Sequence, residues 1–184
     1  MKIFLIFIAV VFFGTIIGMS IASRSARKEM DKKASDSGAI SVFTAQHVEG
    51  LGLSSNTNCD LYLFDEKLVI DSGGRKFEIP ISRLRAAEYK SEKELKEKSK
   101  SVVGRAVIGT LLVPGLGTIV GGMSGIGNKK VKGDTNFYLI LNFVDSNGEL
   151  SGVTFKNNLN TIRLNSFCTK INSQISSQND TVVL

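Results

Sequence analysis

The sequence predicts a mainly β, β-rich α+β domain, and three observations point there. Short apolar runs recur from residue 42 onward, polar and apolar side chains alternate along several of them, and turn residues separate them. Alternation with a period of two is what a half-buried antiparallel strand requires. A single segment of helical spacing follows at the C-terminal end. With 184 residues, 42% hydrophobic and 22% charged, there is material for one domain with a core and some appendages.

Taken in chain order, the first strand is expected within residues 43–53, FTAQHVEGLGL. In residues 59–64, Leu61 and Leu63 alternate with Asp60, Tyr62 and Phe64. Further runs at 67–71, 75–79 and 84–90 are separated by Asp65-Glu66, Ser72-Gly73-Gly74 and Pro80, and Phe77 and Ile79 alternate with Lys76 and Glu78. NFYLILNFV and ELSGVTF then flank Asp145-Ser146-Asn147-Gly148, a turn with hairpin chemistry. The closing segment NNLNTIRLNSFCTKINSQI offers Asn157 or Asn158 as a helix cap and sets Leu164, Phe167, Cys168, Ile171 and Ile175 on one side. About seven strands and a C-terminal helix are expected.

Ahead of this domain, residues 3–22, IFLIFIAVVFFGTIIGMSIA, carry no charge over twenty positions. A helix of that length, at about 1.5 Å per residue, crosses a ~30 Å hydrocarbon core. Residues 1–23 therefore read as a transmembrane anchor, with Ile3, Phe4, Phe7, Phe12, Phe13, Ile16 and Ile17 meeting lipid. The competing reading is a secretory signal peptide, because Ser20 and Ala22 suit an A-x-A-like cleavage site, and the rest would then be secreted. The apolar part of such a peptide usually runs only about 7 to 15 residues. Lys2 alone precedes the run, whereas Arg24, Arg27, Lys28, Lys32 and Lys33 follow it, so the positive-inside rule makes the protein single-pass with its bulk in the cytoplasm. Gly14, Gly18 and Ala22 form a small-xxx-small face suited to helix pairing. Residues 24–41, charged and then Ser/Gly-rich without apolar periodicity, read as a juxtamembrane linker that can press on anionic headgroups.

An insert at 91–132 interrupts the strands. KSEKELKEKSKS, with Glu92/Lys96 and Glu94/Lys98 four apart, predicts a solvated helix. Residues 102–113 are apolar except for Arg105, Pro114-Gly115 makes a hairpin turn, and a second apolar arm carries Gly117, Gly121 and Gly125 as GxxxGxxxG. Two helical arms are expected. Each would be about 18 Å long, too short to span a bilayer alone. With Lys129, Lys130 and Lys132 at its exit, the hairpin can dip into lipid from the cytoplasmic side, or pack on its own domain or on a second copy.

The succession HVEGLGL, CDLYLFDEKLVI, FEIPISRLRAAEY, a Gly-rich insert, YLILNFVDSNGE, VTF and a terminal helix resembles the bacterial pleckstrin-homology-like proteins over residues 42–175. The resemblance implies a bent seven-stranded antiparallel sheet plugged by the C-terminal helix, spanning 42–176 with the insert inside it and 177–184 as a tail. Members bind lipids or proteins. Eukaryotic lipid-binding members share a basic β1–β2 loop, but here residues 54–59, SSNTNC, contain no Lys or Arg, which argues against inositol phosphate recognition by that route.

The formal charge of +6 suggests an acidic partner. No basic stripe is interleaved with aromatics, so nucleic acid is not expected. Cys59 and Cys168 form no CxxC pair and read as free buried thiols rather than metal ligands. His47, the only histidine, lacks a placeable catalytic partner and reads as an edge or surface residue. GLGTIVGG is followed by no GK[ST], so it is not a phosphate loop. The expectation is a non-catalytic, cofactor-free, membrane-tethered module that binds a protein or an anionic lipid surface. The alternative is an oligomerising membrane-remodelling or pore-like component driven by the glycine zipper.

Overall fold

A computed structural model describes residues 24–25, 27–99, 107–108, 111–116, 119, 136–158 and 161–179. Helix α1 passes through residues 27–37. Strands β1 (Ser41–Glu49), β2 (Asn58–Leu63), β3 (Lys67–Asp71), β4 (Lys76–Pro80) and β5 (Leu84–Ser91) follow, with a 3-10 turn at Ile81–Arg83. Then come α2 (Glu92–Ser99), the two-residue strands β6 (Val107–Ile108) and β7 (Leu111–Leu112), β8 (Phe137–Val144), β9 (Leu150–Lys156) and α3 (Thr161–Asn179). The large sheet has seven strands in the order β4-β3-β2-β1-β9-β8-β5, every neighbouring pair antiparallel. A β-rich fold with a C-terminal helix is thus what the sequence folds into.

The alternation read from the sequence sets the core. Leu61 and Leu63 of β2, Ile79 of β4, Leu139 and Leu141 of β8 and Val153 and Phe155 of β9 face one side of the sheet and are buried. Helix α3 lays Leu164, Phe167, Cys168 and Ile171 on that face, and Phe167 stacks on Phe43 of β1 at 5.5 Å between ring centroids. Burying a large apolar side chain contributes about 1.5–3 kcal/mol, so this face supplies most of the driving force. Helix α3 is described from Thr161 onward, after the two asparagines that the sequence offers as its cap. The Asn157 side chain donates to the Thr44 carbonyl (2.7 Å), and Asn158 accepts from the Phe137 N–H (3.0 Å), so both tie strand ends together.

An edge strand leaves backbone groups open to pairing with another chain. On β5, at one end of the sheet, Asn172 of α3 occupies both groups of Ala87: its Oδ1 accepts from the Ala87 N–H at 3.0 Å, and its Nδ2 donates to the Ala87 carbonyl at 2.8 Å.

Two segments depart from the sequence-based expectation. The first is the stretch read as a linker. Within it α1 is helical, and Met30, only 8% exposed, enters the main core. Lys33 Nζ meets Asp60 Oδ2 of β2 at 2.7 Å, and Arg163 of α3 donates to Asp31 at 2.6 Å. Among the described residues, Met30 and two long-range ion pairs tie the helix to the domain, and none of these produces a periodic pattern.

The second is the start of the insert. Helix α2 is not merely solvated, since Leu95 is wholly buried. It opens with a capping box: the Ser91 N–H donates to Glu94 Oε2 at 2.7 Å, and the Glu94 N–H donates to Ser91 Oγ at 3.3 Å. Where the expected first helical arm is described, at 107–108 and 111–112, the chain is an antiparallel ribbon instead. Its Val, Ile and Leu side chains suit strands, and a helix there would carry the cost of Gly104 and Gly109 as well. Leu95, Leu111, Val113, Leu116 and Ile119 form a second core with Tyr138 and Ile140 on the other face of β8. With both faces covered, β8 reads as the near-continuous apolar run FYLILNFV.

Candidate functional site

The docking of α1 beside the N-terminal part of α3 leaves a cleft of about 550 Å³. Arg24 and Arg27 approach from the α1 side and Arg163 and Lys170 from α3, with Ser41 at the start of β1 beneath them. Arg163 and Lys170 are seven apart, two helical turns, so they share a face. Phe167, one turn from each, fastens that face of α3 to the core. Asp31 is the carboxylate among the residues lining the cleft. Its Oδ1 lies 2.6 Å from Arg163 Nη2 and its Oδ2 lies 4.0 Å from Arg27 Nε. The hydrogen bond from Arg163 holds the Asp31 carboxyl below the usual carboxylate range, so it stays ionised at neutral pH.

Of the residues singled out in the sequence, Arg24 and Arg27 line this cleft; Lys28 is exposed on α1. Pro114 and Gly115 form a turn packed on the outer face of the sheet. Gly115, at φ +74°, lies so close to Val48 and Glu49 that a Cβ there would meet their side-chain atoms at 3.1 Å. The anchor residues Ile3, Phe4, Phe7, Phe12, Phe13, Ile16 and Ile17, the zipper residues Gly117, Gly121 and Gly125, and Lys129, Lys130 and Lys132 lie outside the described residues. Among the described residues no helix is long and apolar enough to cross a membrane.

Arg163 and Lys170 were not singled out in the sequence, since more than a hundred residues separate them from Arg24 and Arg27. Their i, i+7 spacing on α3 was the available signal. The reading of His47 as an edge or surface residue is overturned. It lies in β1, a central strand, and is 1% exposed. Nδ1 is 3.3 Å from the Ser54 carbonyl, Nε2 is buried without a partner, and the ring meets Phe155 edge-on at 6.1 Å. Burial depresses its pKa, which keeps it neutral.

Cys59 and Cys168 are free and buried, and burial pushes the Cys168 thiol up to about 12 and the Cys59 thiol upward as well. Neither is suited to nucleophilic work. Among the described residues, no group of three His, Cys, Asp or Glu side chains could hold a metal ion. What the described surface does offer is positive charge converging on a cleft of about 550 Å³. No protein-family model matches the chain, and a search of curated proteins finds no relative.

Proposed function

We propose that this chain is a membrane-tethered, non-catalytic interaction module of pleckstrin-homology-like architecture, presenting its basic cleft to an anionic lipid surface from the cytoplasmic side. One observation carries the reading. Arg24 and Arg27 come directly after the uncharged run 3–22, and they share a cleft with Arg163 and Lys170 of the folded domain. A helix emerging from a bilayer at residue 23 would bring those cations to the headgroup layer, where each contributes about 1 kcal/mol. The seven-stranded antiparallel sheet with its C-terminal helix supports the architecture. The β1–β2 connection, residues 50–57, contains no Lys or Arg, so the positive charge lies elsewhere than in lipid-binding members of that class.

The chain lacking residues 1–23 is expected to sediment with vesicles containing 30% phosphatidylglycerol, to bind pure phosphatidylcholine weakly, and to be released as salt rises. Changing Arg24 and Arg27 together to Glu should remove most of the binding. Equal binding to neutral and anionic vesicles would sink the reading. The full chain should stay in the pellet after alkaline-carbonate extraction.

A further inference from the structure

We propose that the cleft between α1 and α3 is a phosphomonoester site in which Asp31 stands in for the ligand. The inference rests on the reading above and names the chemistry the cleft selects. Four cations, Arg24, Arg27, Arg163 and Lys170, face one carboxylate, so the cavity carries a surplus of positive charge around a space of about 550 Å³. That lies within the usual range for a small-ligand site. One oxygen of Asp31 is hydrogen-bonded as a phosphate oxygen would be, and the other is in loose ion-pair range of a second guanidinium. The first accepts from Arg163 at 2.6 Å, and the second faces Arg27 at 4.0 Å. Guanidinium groups present their N–H donors in a fixed fork that matches carboxylate and phosphate alike. A monoester dianion would bring a further oxygen and a further charge, within a cleft where Arg24 and Lys170 supply additional cations.

The two partners of the ion pair differ in how firmly they are held. The Arg163 side chain is 17% exposed, whereas that of Asp31 is 60% exposed. The cation is fixed against the domain and the anion stands at its solvent edge, so an incoming phosphate can displace the carboxylate into water while Arg163 stays in place. Asp31 then sets a threshold: weakly charged diesters compete poorly with it and dianions compete well. The same chemistry occurs in a lipid headgroup, such as phosphatidic acid, and in a free phosphomonoester or inorganic phosphate.

The test uses the full chain in nonionic detergent micelles at constant ionic strength. Inorganic phosphate is titrated against chloride with thermal unfolding and calorimetry as readouts, and micelles doped with phosphatidic acid or phosphatidylglycerol are compared at equal total charge. Asp31→Asn should strengthen phosphate binding at least threefold, and Arg163→Gln should weaken it at least tenfold. Because Arg163 also helps to hold α1, Lys170→Gln is the second variant, expected to weaken binding without lowering the ligand-free melting temperature. Arg75→Gln, in the β3–β4 turn, is the control and should change nothing. Wild-type binding to micelles doped with phosphatidic acid should strengthen as pH rises through about 6, where a monoester takes its second charge. Preference for phosphatidic acid over inorganic phosphate assigns the lipid source; equal affinity assigns a soluble one. Binding that follows total charge, with phosphatidylglycerol as good as phosphatidic acid and Asp31→Asn no better than Arg75→Gln, overturns the site while leaving the anionic-surface reading intact. No binding to either lipid or to phosphate overturns both.

Discussion

Asn142 of β8 grips both backbone groups of Leu112 on β7. Its Oδ1 accepts from the Leu112 N–H at 2.8 Å, and its Nδ2 donates to the Leu112 carbonyl at 2.7 Å. The side chain is nearly inaccessible to water and so acts as a short strand, pairing the insert to the outer face of the sheet. Asn142→Ala would leave two backbone groups without their partner, at about 1–3 kcal/mol for each that stays buried. The expected loss is about 2 kcal/mol or more in urea denaturation, with faster proteolysis of the insert. A loss under about 0.5 kcal/mol would mean the insert satisfies those groups in another way.

Gly152 of β9 is where the Pro114 turn sits down. A Cβ at Gly152 would come within 3.1 Å of Pro114 Cδ and 3.0 Å of Asn142 Nδ2. Gly152→Ala is therefore expected to cost about 1–3 kcal/mol by overpacking. Gly74 gives the contrast, since nothing lies within 4 Å of the corresponding Cβ and its φ is not positive. Gly74→Ala should be neutral or stabilising by up to about 1 kcal/mol. Similar outcomes for the two substitutions would show that Pro114 does not rest on Gly152.

Leu116 follows that turn and is buried in the second core with Leu95 and Ile119. A membrane-impermeant maleimide should therefore label Leu116→Cys slowly in plain buffer, at least tenfold more slowly than in urea. Cys59 and Cys168 should stay silent, being buried thiols with raised pKa values. Adding Leu95→Ala, which empties part of that core at a cost of about 2–5 kcal/mol, should speed the labelling. Rapid labelling of Leu116→Cys alone would place this segment in water.

Stability should depend on pH through His47, the one histidine. Its ordinary pKa is 6.5, and burial lowers it in the folded protein. Between the two values the unfolded chain binds more protons than the folded one. Stability is therefore complete above about pH 6.5 and declines as pH falls from there toward the folded value. The urea midpoint should be level from about pH 7 to 8 and fall toward pH 5. In His47→Gln that slope should flatten. An unchanged slope would exclude His47 as its source.

Topology offers the remaining check. Five basic residues follow the uncharged run and one precedes it, so a reporter fused after Leu184 is expected to be active only in the cytoplasm. Alkaline phosphatase activity outside the cytoplasm would instead favour the signal-peptide reading.

Residue pattern alone determined the sheet strands and the closing helix. Leu61 and Leu63, Phe77 and Ile79, and the Leu164–Phe167–Cys168–Ile171 face could be read directly, because burial on one side of a strand or helix writes its own period into the chain. Ser91-x-x-Glu94, Asn142 inside an apolar run, and the i, i+7 pair of Arg163 and Lys170 were visible signals whose meaning depended on what lay opposite them. Tertiary structure alone decided that α1 docks through Met30, that the insert begins as a ribbon on the sheet, that His47 is buried, and that Arg24 and Arg27 meet Arg163 and Lys170. Each of these rests on what lies opposite the segment in the folded chain, and such contacts leave no repeat in the sequence to detect. Only chain folding, by bringing residue 31 within 2.6 Å of residue 163, gives those charges a common site.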